Sequence, residues 1–160
     1  MPFPDPVQQG VEEVSNFRWS WGQHAPMILP NGNIFVFDNG VERTFSNEPP
    51  LFSRGVEYVV DEERMTVQQV WQYGEKRGAE FYSGRLGDVD LMPTTGNRLI
   101  MPGIVTTPAQ QAFVIEVTHP DSEIVFEARI RFQERPSTDG FARVEFDLVY
   151  RSERIPALSW

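Results

Sequence analysis

Apolar residues along this chain fall in short runs, each stopped by a turn. Met27-Ile28-Leu29 leads into Pro30-Asn31-Gly32-Asn33 and resumes as Ile34-Phe35-Val36-Phe37. Asn-Gly between two apolar runs signals a hairpin, because both residues tolerate the positive φ that a tight turn needs. A second pair, Asn39-Gly40, closes the second run and reads the same way, as turn chemistry. The run 34–37 is continuous rather than alternating, which predicts a strand covered on both faces. Residues 54–60 predict a third strand and Asp61-Glu62-Glu63 a solvated turn. Residues 65–73 predict a fourth strand, folded back on 56–60.

The pattern then starts again. Strands are predicted at 87–92, 98–101, 112–117 and 124–132, with turns at 93–97 and 119–122. Leu29-Pro30-Asn31-Gly32-Asn33-Ile34 lies over Met92-Pro93-Thr94-Thr95-Gly96-Asn97-Arg98-Leu99, a period of roughly 64 residues from Asn33 to Asn97. A repeat of four antiparallel strands in meander order is the unit of a β-propeller blade. The expected fold is therefore all-β: a coil lead-in over 1–16, one four-stranded antiparallel blade within 17–80, a second within 81–132, and a terminal strand over 141–156.

The tail is patterned differently. Ile124, Phe126, Ala128, Ile130 and Phe132 alternate with Glu127, Arg129 and Arg131, and Val144, Phe146, Leu148 and Tyr150 alternate with Glu145 and Asp147. Strict alternation predicts one wet face. Setting Arg131 against Glu145 and Arg129 against Asp147 pairs opposite charges, and a shift of two residues does not, so the first register is expected. Two blades do not close a toroid, which needs about four to eight. Apolar sheet faces are then left for missing N-terminal blades or for a second copy of the chain to cover.

Composition narrows the partners. The net charge of −9 makes a nucleic-acid phosphate backbone an unsuitable target. With 13 Pro and 12 Gly, long helices are not expected, and 12% aromatic residues argue for an ordered core. There is no cysteine, so disulfides and thiolate metal sites are excluded. No run of 18 apolar residues occurs, so no membrane span is expected, and residues 1–14 lack the basic and apolar regions of a signal peptide. Two histidines without a carboxylate cluster make a poor metal site, and no cofactor is expected.

Several stretches occur together in order: W-G-Q-H-A-P (21–26), L-P-N-G-N-I-F-V-F-D-N-G (29–40), Ser53-Arg54, M-T-V-Q-Q-V-W-Q-Y-G (65–74) and R-G-A-E-F-Y-S (77–83). This set resembles the C-terminal third of the bacterial aryl-sulfate sulfotransferases, the PAPS-independent arylsulfotransferases. The likeness is dense over 19–101 and loose beyond. It implies a six-bladed propeller, an exported (periplasmic or secreted) parent protein, and transfer of a sulfuryl group from a phenolic sulfate to a phenolic acceptor. It also implies a transiently sulfated histidine in the central channel, and the family's Q-H motif matches His24.

That chemistry asks for specific residue types. Free imidazole titrates near about 6.5, so its neutral, nucleophilic form dominates at pH 7. A histidine that takes a group from one ester and passes it to another acceptor works by a two-step covalent route. Cations must hold the sulfuryl oxygens, which makes Arg54 and Arg85 candidates; Trp19, Trp21 and Tyr82 are candidates to stack on aryl rings. Without the resemblance, His24 reads as an ordinary strand histidine, Arg54 as a tie between loops and His119 as a solvated turn residue. The family's other channel histidines and arginine belong to earlier blades, so this segment alone is expected to be inactive; the alternative is a non-catalytic propeller remnant that binds a partner.

Overall fold

In a computed structural model of the chain, the described residues are 17–41, 43, 51–132 and 147–154. The expected lead-in over 1–16 and the Arg131–Glu145 pairing lie outside them. Eight strands form two four-stranded antiparallel sheets, each in simple meander order. The first sheet holds β1 (His24–Ile28), β2 (Ile34–Asp38), β3 (Arg54–Asp61) and β4 (Thr66–Tyr73). The second holds β5 (Asp88–Leu91), β6 (Arg98–Met101), β7 (Gln111–Val117) and β8 (Ile124–Arg131). One short 3₁₀ element, Glu75–Phe81, broken at Gly78, joins them.

The two predicted turns are built alike. Leu29 N–H donates to the Asn33 carbonyl (2.8 Å) and Gly32 N–H to the Leu29 carbonyl (2.9 Å). One sheet later, Met92 N–H donates to the Asn97 carbonyl (2.9 Å) and Gly96 N–H to the Met92 carbonyl (2.8 Å). The predicted pairing of the fourth strand on the third is also present, with Val56 opposite Gln72 and Val60 opposite Val67.

The core lies between the sheets. Phe35, Phe37 and Trp71 of the first meet Val89, Ile100, Phe113, Ile115 and Val117 of the second, with Phe81 and Val105 from the connections. Burying side chains of this size is worth about 1.5–3 kcal/mol each relative to exposure. On the opposite face of β2, Val36 packs with Val56, Tyr58 and Phe17, so this strand is covered on both sides as its continuous apolar run predicts. Strands β4 and β8 are the outer edges, and Val67, Val70, Ile124, Val125 and Phe126 stay exposed there.

The terminal strand expected over 141–156 is not a strand in its described part. Residues 147–154 carry no β-ladder. They are pinned at separate points: Gln110 Nε2 donates to the Asp147 carbonyl (2.9 Å), Val149 N–H to the Gly103 carbonyl (3.2 Å) and Ser152 N–H to Asp88 Oδ2 (3.2 Å). Alternation marks a chain with one wet face, but a strand also needs a neighbour offering a continuous row of partners. This segment crosses loops instead, so Asp147 does not face Arg129.

Candidate functional site

The site is organised by the last residues of β2, Asp38-Asn39-Gly40. Asp38 is fully buried and accepts four hydrogen bonds. Its Oδ1 takes the backbone N–H of Trp21 (2.8 Å) and of Gly40 (3.1 Å). Its Oδ2 takes Arg54 Nε and Arg43 Nη2, both at 2.8 Å. A buried carboxylate is tolerable only when its charge and lone pairs are met, and here two guanidinium groups and two amides meet them. Gly40 has φ +75°, and a Cβ there would stand 2.3 Å from the Phe52 carbonyl oxygen, so glycine is required. Burial pulls the Arg43 guanidinium below its ordinary value, although Asp38 beside it works the other way.

Asn39, also fully buried, reaches both sheets. Its Nδ2 donates to the carbonyls of Ser83 (2.6 Å) and Leu86 (2.9 Å), on the approach to β5. Its Oδ1 lies 2.6 Å from His24 Nδ1. The Gly22 carbonyl lies 3.2 Å from the same ring nitrogen. Ser53 stitches the connection further, donating its hydroxyl to the Asn39 carbonyl (2.8 Å) and accepting Ser83 N–H (2.9 Å).

His24 opens β1 opposite Phe37, and a β-bulge falls between His24 and Met27. Ala25 within it has φ +48°, a conformation that non-glycine residues rarely adopt. A bulge re-aims the side chains beside it, and such strain gathers at working sites. β1 packs beside β5. A cleft of about 210 Å³ opens there, with Ala25, Pro26 and Met27 on one wall and Asp88, Asp90 and Arg151 on the other.

Four of the six candidates singled out from the sequence, His24, Trp21, Arg54 and Tyr82, lie close to the Asp38-Asn39 pair. His24 bonds Asn39, and Trp21 and Arg54 bond Asp38. Tyr82 precedes Ser83, which Asn39 holds; burial raises its hydroxyl pKa, with the Arg43 charge opposing. Arg54 is completely buried. Besides Asp38, its Nη1 donates to Gln69 Oε1 (3.0 Å) and its Nη2 to the Arg18 carbonyl (2.7 Å). Its surroundings are those of a brace. Arg85 is exposed, and its carbonyl accepts the Ser83 hydroxyl (2.7 Å). Trp19 is half-exposed and packs edge-on against Phe17.

His119 sits in its predicted turn, but its ring leans on Trp71 and its Nε2 lies 3.5 Å from Glu57. Burial lowers its pKa, with the Arg98 charge adding to that and Glu57 opposing. Among the described residues no cluster of three or more His, Asp or Glu side chains could hold a metal ion, and no helix is long and apolar enough to cross a membrane.

From the sequence Asn39 reads as half of a turn and Asp38 as a turn and blade-joining residue; the structure adds that Asp38 gathers Trp21, Gly40, Arg43 and Arg54, and that Asn39 ties His24 to the second sheet. The signal was available as F-D-N-G. A turn needs Asn-Gly but not a preceding Asp at the end of a fully apolar run, where an ionised side chain must find partners.

Two tandem four-stranded sheets, with a braced histidine on the edge strand where they meet, define an all-β repeat protein with a candidate nucleophile at the sheet junction. The family model for arylsulfotransferase (ASST) matches residues 5–140, and the chain belongs to that family. The arylsulfate sulfotransferase AssT of Escherichia coli O6:H1 is 44% identical over 80 residues, which cover 48% of this chain and 13% of that protein. The arylsulfate sulfotransferase AssT of Lelliottia amnigena is 42% identical over 80 residues, with the same coverage. The matched segment thus spans about an eighth of the curated relatives' length.

Proposed function

We propose that this chain carries the nucleophile of an arylsulfate sulfotransferase, and that its two sheets are successive blades of a β-propeller whose other blades complete the site. The observation that carries the reading is His24, set on a bulged inner-edge strand beside a polar cleft and fixed from behind by Asn39. Family membership supports the reaction class. The meander order of the sheets and the approach of β1 to β5 support the propeller, in which such first strands line the axis.

In the first step the lone pair of the His24 imidazole forms an N–S bond as the S–O bond to the donor's aryl oxygen breaks. The aryl oxygen leaves with the electron pair and takes up a proton, giving the free phenol. In the second step an acceptor phenol oxygen attacks the sulfur and loses its proton, and the N–S pair returns to the ring. Proton uptake and release cancel over the cycle. Trp21 and Tyr82, near the Asp38-Asn39 pair but not on the cleft wall, stay candidate contacts for aryl rings, whereas Arg54 serves Asp38. Cations for the sulfuryl oxygens are then supplied by other blades of the complete enzyme. The same reading places that enzyme in the periplasm or outside the cell, which fractionation of cells expressing the complete reading frame checks.

The test is transfer from 4-nitrophenyl sulfate to phenol by the complete enzyme that carries this segment. His24→Asn is expected to abolish turnover, a loss of about a thousandfold or more for a covalent nucleophile. Retained turnover refutes the assignment.

A further inference from the structure

Nothing in the sequence reading gives Asn39 a part in chemistry. The hydrogen bonds around it do. Its Nδ2 faces two carbonyl oxygens, those of Ser83 and Leu86. Carbonyls only accept, so the amide –NH₂ must point at them, and this fixes the amide orientation. Oδ1 is then the atom 2.6 Å from His24 Nδ1. The second neighbour of that nitrogen, the Gly22 carbonyl, is also an acceptor. A ring nitrogen that faces two acceptors and no donor must carry the hydrogen.

We infer that Asn39 is a positioning residue that holds neutral His24 in the Nδ1–H tautomer and thereby leaves the Nε2 lone pair as the nucleophile, an inference that rests on the proposed role of His24. No described residue hydrogen-bonds Nε2. In water an unconstrained histidine side chain favours the opposite tautomer, with hydrogen on Nε2, and that form cannot attack through Nε2. The anchor is rigid because Asn39 is fully buried and its other end is tied to the second sheet. The arrangement also serves the second half of the reaction. Sulfation at Nε2 of a ring that keeps its Nδ1–H leaves positive charge on the imidazole, and the Asn39 oxygen dipole is aimed at that hydrogen. The N–S bond is then easier to break when the acceptor attacks. The parallel with metal-bound histidines is close: the group on the far ring nitrogen sets tautomer and orientation.

The experiment reads the tautomer directly, by long-range ¹H–¹⁵N correlation of the imidazole nitrogens in this chain at pH 9. His119→Gln leaves His24 as the one histidine in the spectrum. The expected pattern is a protonated, pyrrole-type Nδ1 and an unprotonated, pyridine-type Nε2. Two variants separate tautomer control from support of the fold, because both lose the bonds to the Ser83 and Leu86 carbonyls. Asn39→Asp keeps an oxygen facing Nδ1 and should keep the pattern. Asn39→Leu removes it and should move the population toward Nε2–H. Thermal melts of both variants confirm that a folded protein is being read. In the complete enzyme Asn39→Leu should lower kcat by about 10- to 100-fold with a smaller effect on KM, and Asn39→Asp should recover part of that loss. A protonated Nε2 in the unsubstituted chain, or the same tautomer in the Asp and Leu variants, overturns the inference. This readout does not use activity, so its failure is distinct from retained turnover in the His24→Asn enzyme.

Discussion

The two sheets are copies of one plan that differ where the candidate chemistry lies. In the first, Asn33 Nδ2 donates to Glu57 Oε1 (2.6 Å), and Arg98 from the neighbouring sheet donates to Glu57 Oε2 (2.8 Å). In the second, Asn97 Nδ2 donates to Glu116 Oε1 (2.7 Å), and Arg154 pairs with Glu116 Oε2. Turn asparagine, buried strand glutamate and incoming arginine recur in the same order. The first strands of the two sheets are in matching register: His24 lies opposite Phe37, and Asp88 lies opposite Met101, steps of 64 residues in both members. At that shared position one sheet carries an imidazole braced by Asn39, and the other carries a carboxyl. Repetition therefore accounts for the scaffold, and departures from it mark the residues to test.

The largest effect should come from breaking the two latches unequally. The side chains of Arg98 and Glu57 are 6% and 1% exposed, whereas that of Arg154 is 61% exposed. Arg98→Leu leaves a buried carboxylate short of its cation and should cost about 3–5 kcal/mol. Glu116, at 3% exposed, is nearly as buried as Glu57, but its cation stands in solvent, so water can take the guanidinium's place and Arg154→Leu should cost about 1 kcal/mol or less. Urea unfolding of this chain measures both. Equal losses would mean that the second latch is as sealed as the first.

Next in size is the asparagine of each turn. Asn33→Ala and Asn97→Ala each remove a donor to a buried, charged glutamate, for which about 1.5–3 kcal/mol is expected. The two values should agree within about 0.5 kcal/mol if the latches are equivalent at this end, measured by the same unfolding curves. Glu57 gives the pair a pH signature. Burial works to raise its pKa, but the hydrogen bonds from Asn33 and Arg98, with the charges of Arg98 and His119, hold it below the ordinary glutamate value. A depressed carboxylate contributes stability above its unfolded value and loses it as pH falls through the folded one. The cost of Asn33→Ala should therefore shrink in acid, below about pH 4.

These contrasts also show how much was legible beforehand. The turn at 29–33, the strand pairs and the repeat of 64 could be read because alternation, Asn-Gly and continuous apolar runs act locally. His24 stands out as a candidate only through the linked motifs, since one histidine at a strand start carries no local signal. Asn39 reads from the sequence as a turn residue because its partners, Ser83 and Leu86, are more than 40 positions away. The tail failed for a similar reason. Alternation over 144–150 was real, but what the segment meets was set by Gly103, Gln110 and Asp88, and nothing in its own pattern names them. Arg54 reads as a candidate anion ligand until Asp38 is seen to claim it.

The smallest and most diagnostic change is at Asp88, the positional counterpart of His24. Its carboxyl is nearly fully buried. Burial raises its pKa, against the Ser152 N–H and the exposed Arg151 guanidinium, and the Asp90 charge adds to the rise. A carboxyl whose folded value lies above its unfolded value binds protons more readily when folded. Its ionised form is then a cost to the fold that grows as pH rises from the ordinary aspartate value through the raised one. Asn cannot ionise, and its oxygen can still accept Ser152 N–H. Asp88→Asn should accordingly stabilise the chain at pH 7, by no more than about 1 kcal/mol, and the gain should vanish below about pH 4, where the aspartate is itself protonated. Melting temperature followed from pH 3 to pH 8 decides it. A loss of stability at pH 7 would show that the Arg151 contact outweighs burial, and that the carboxyl is held charged beside the cleft.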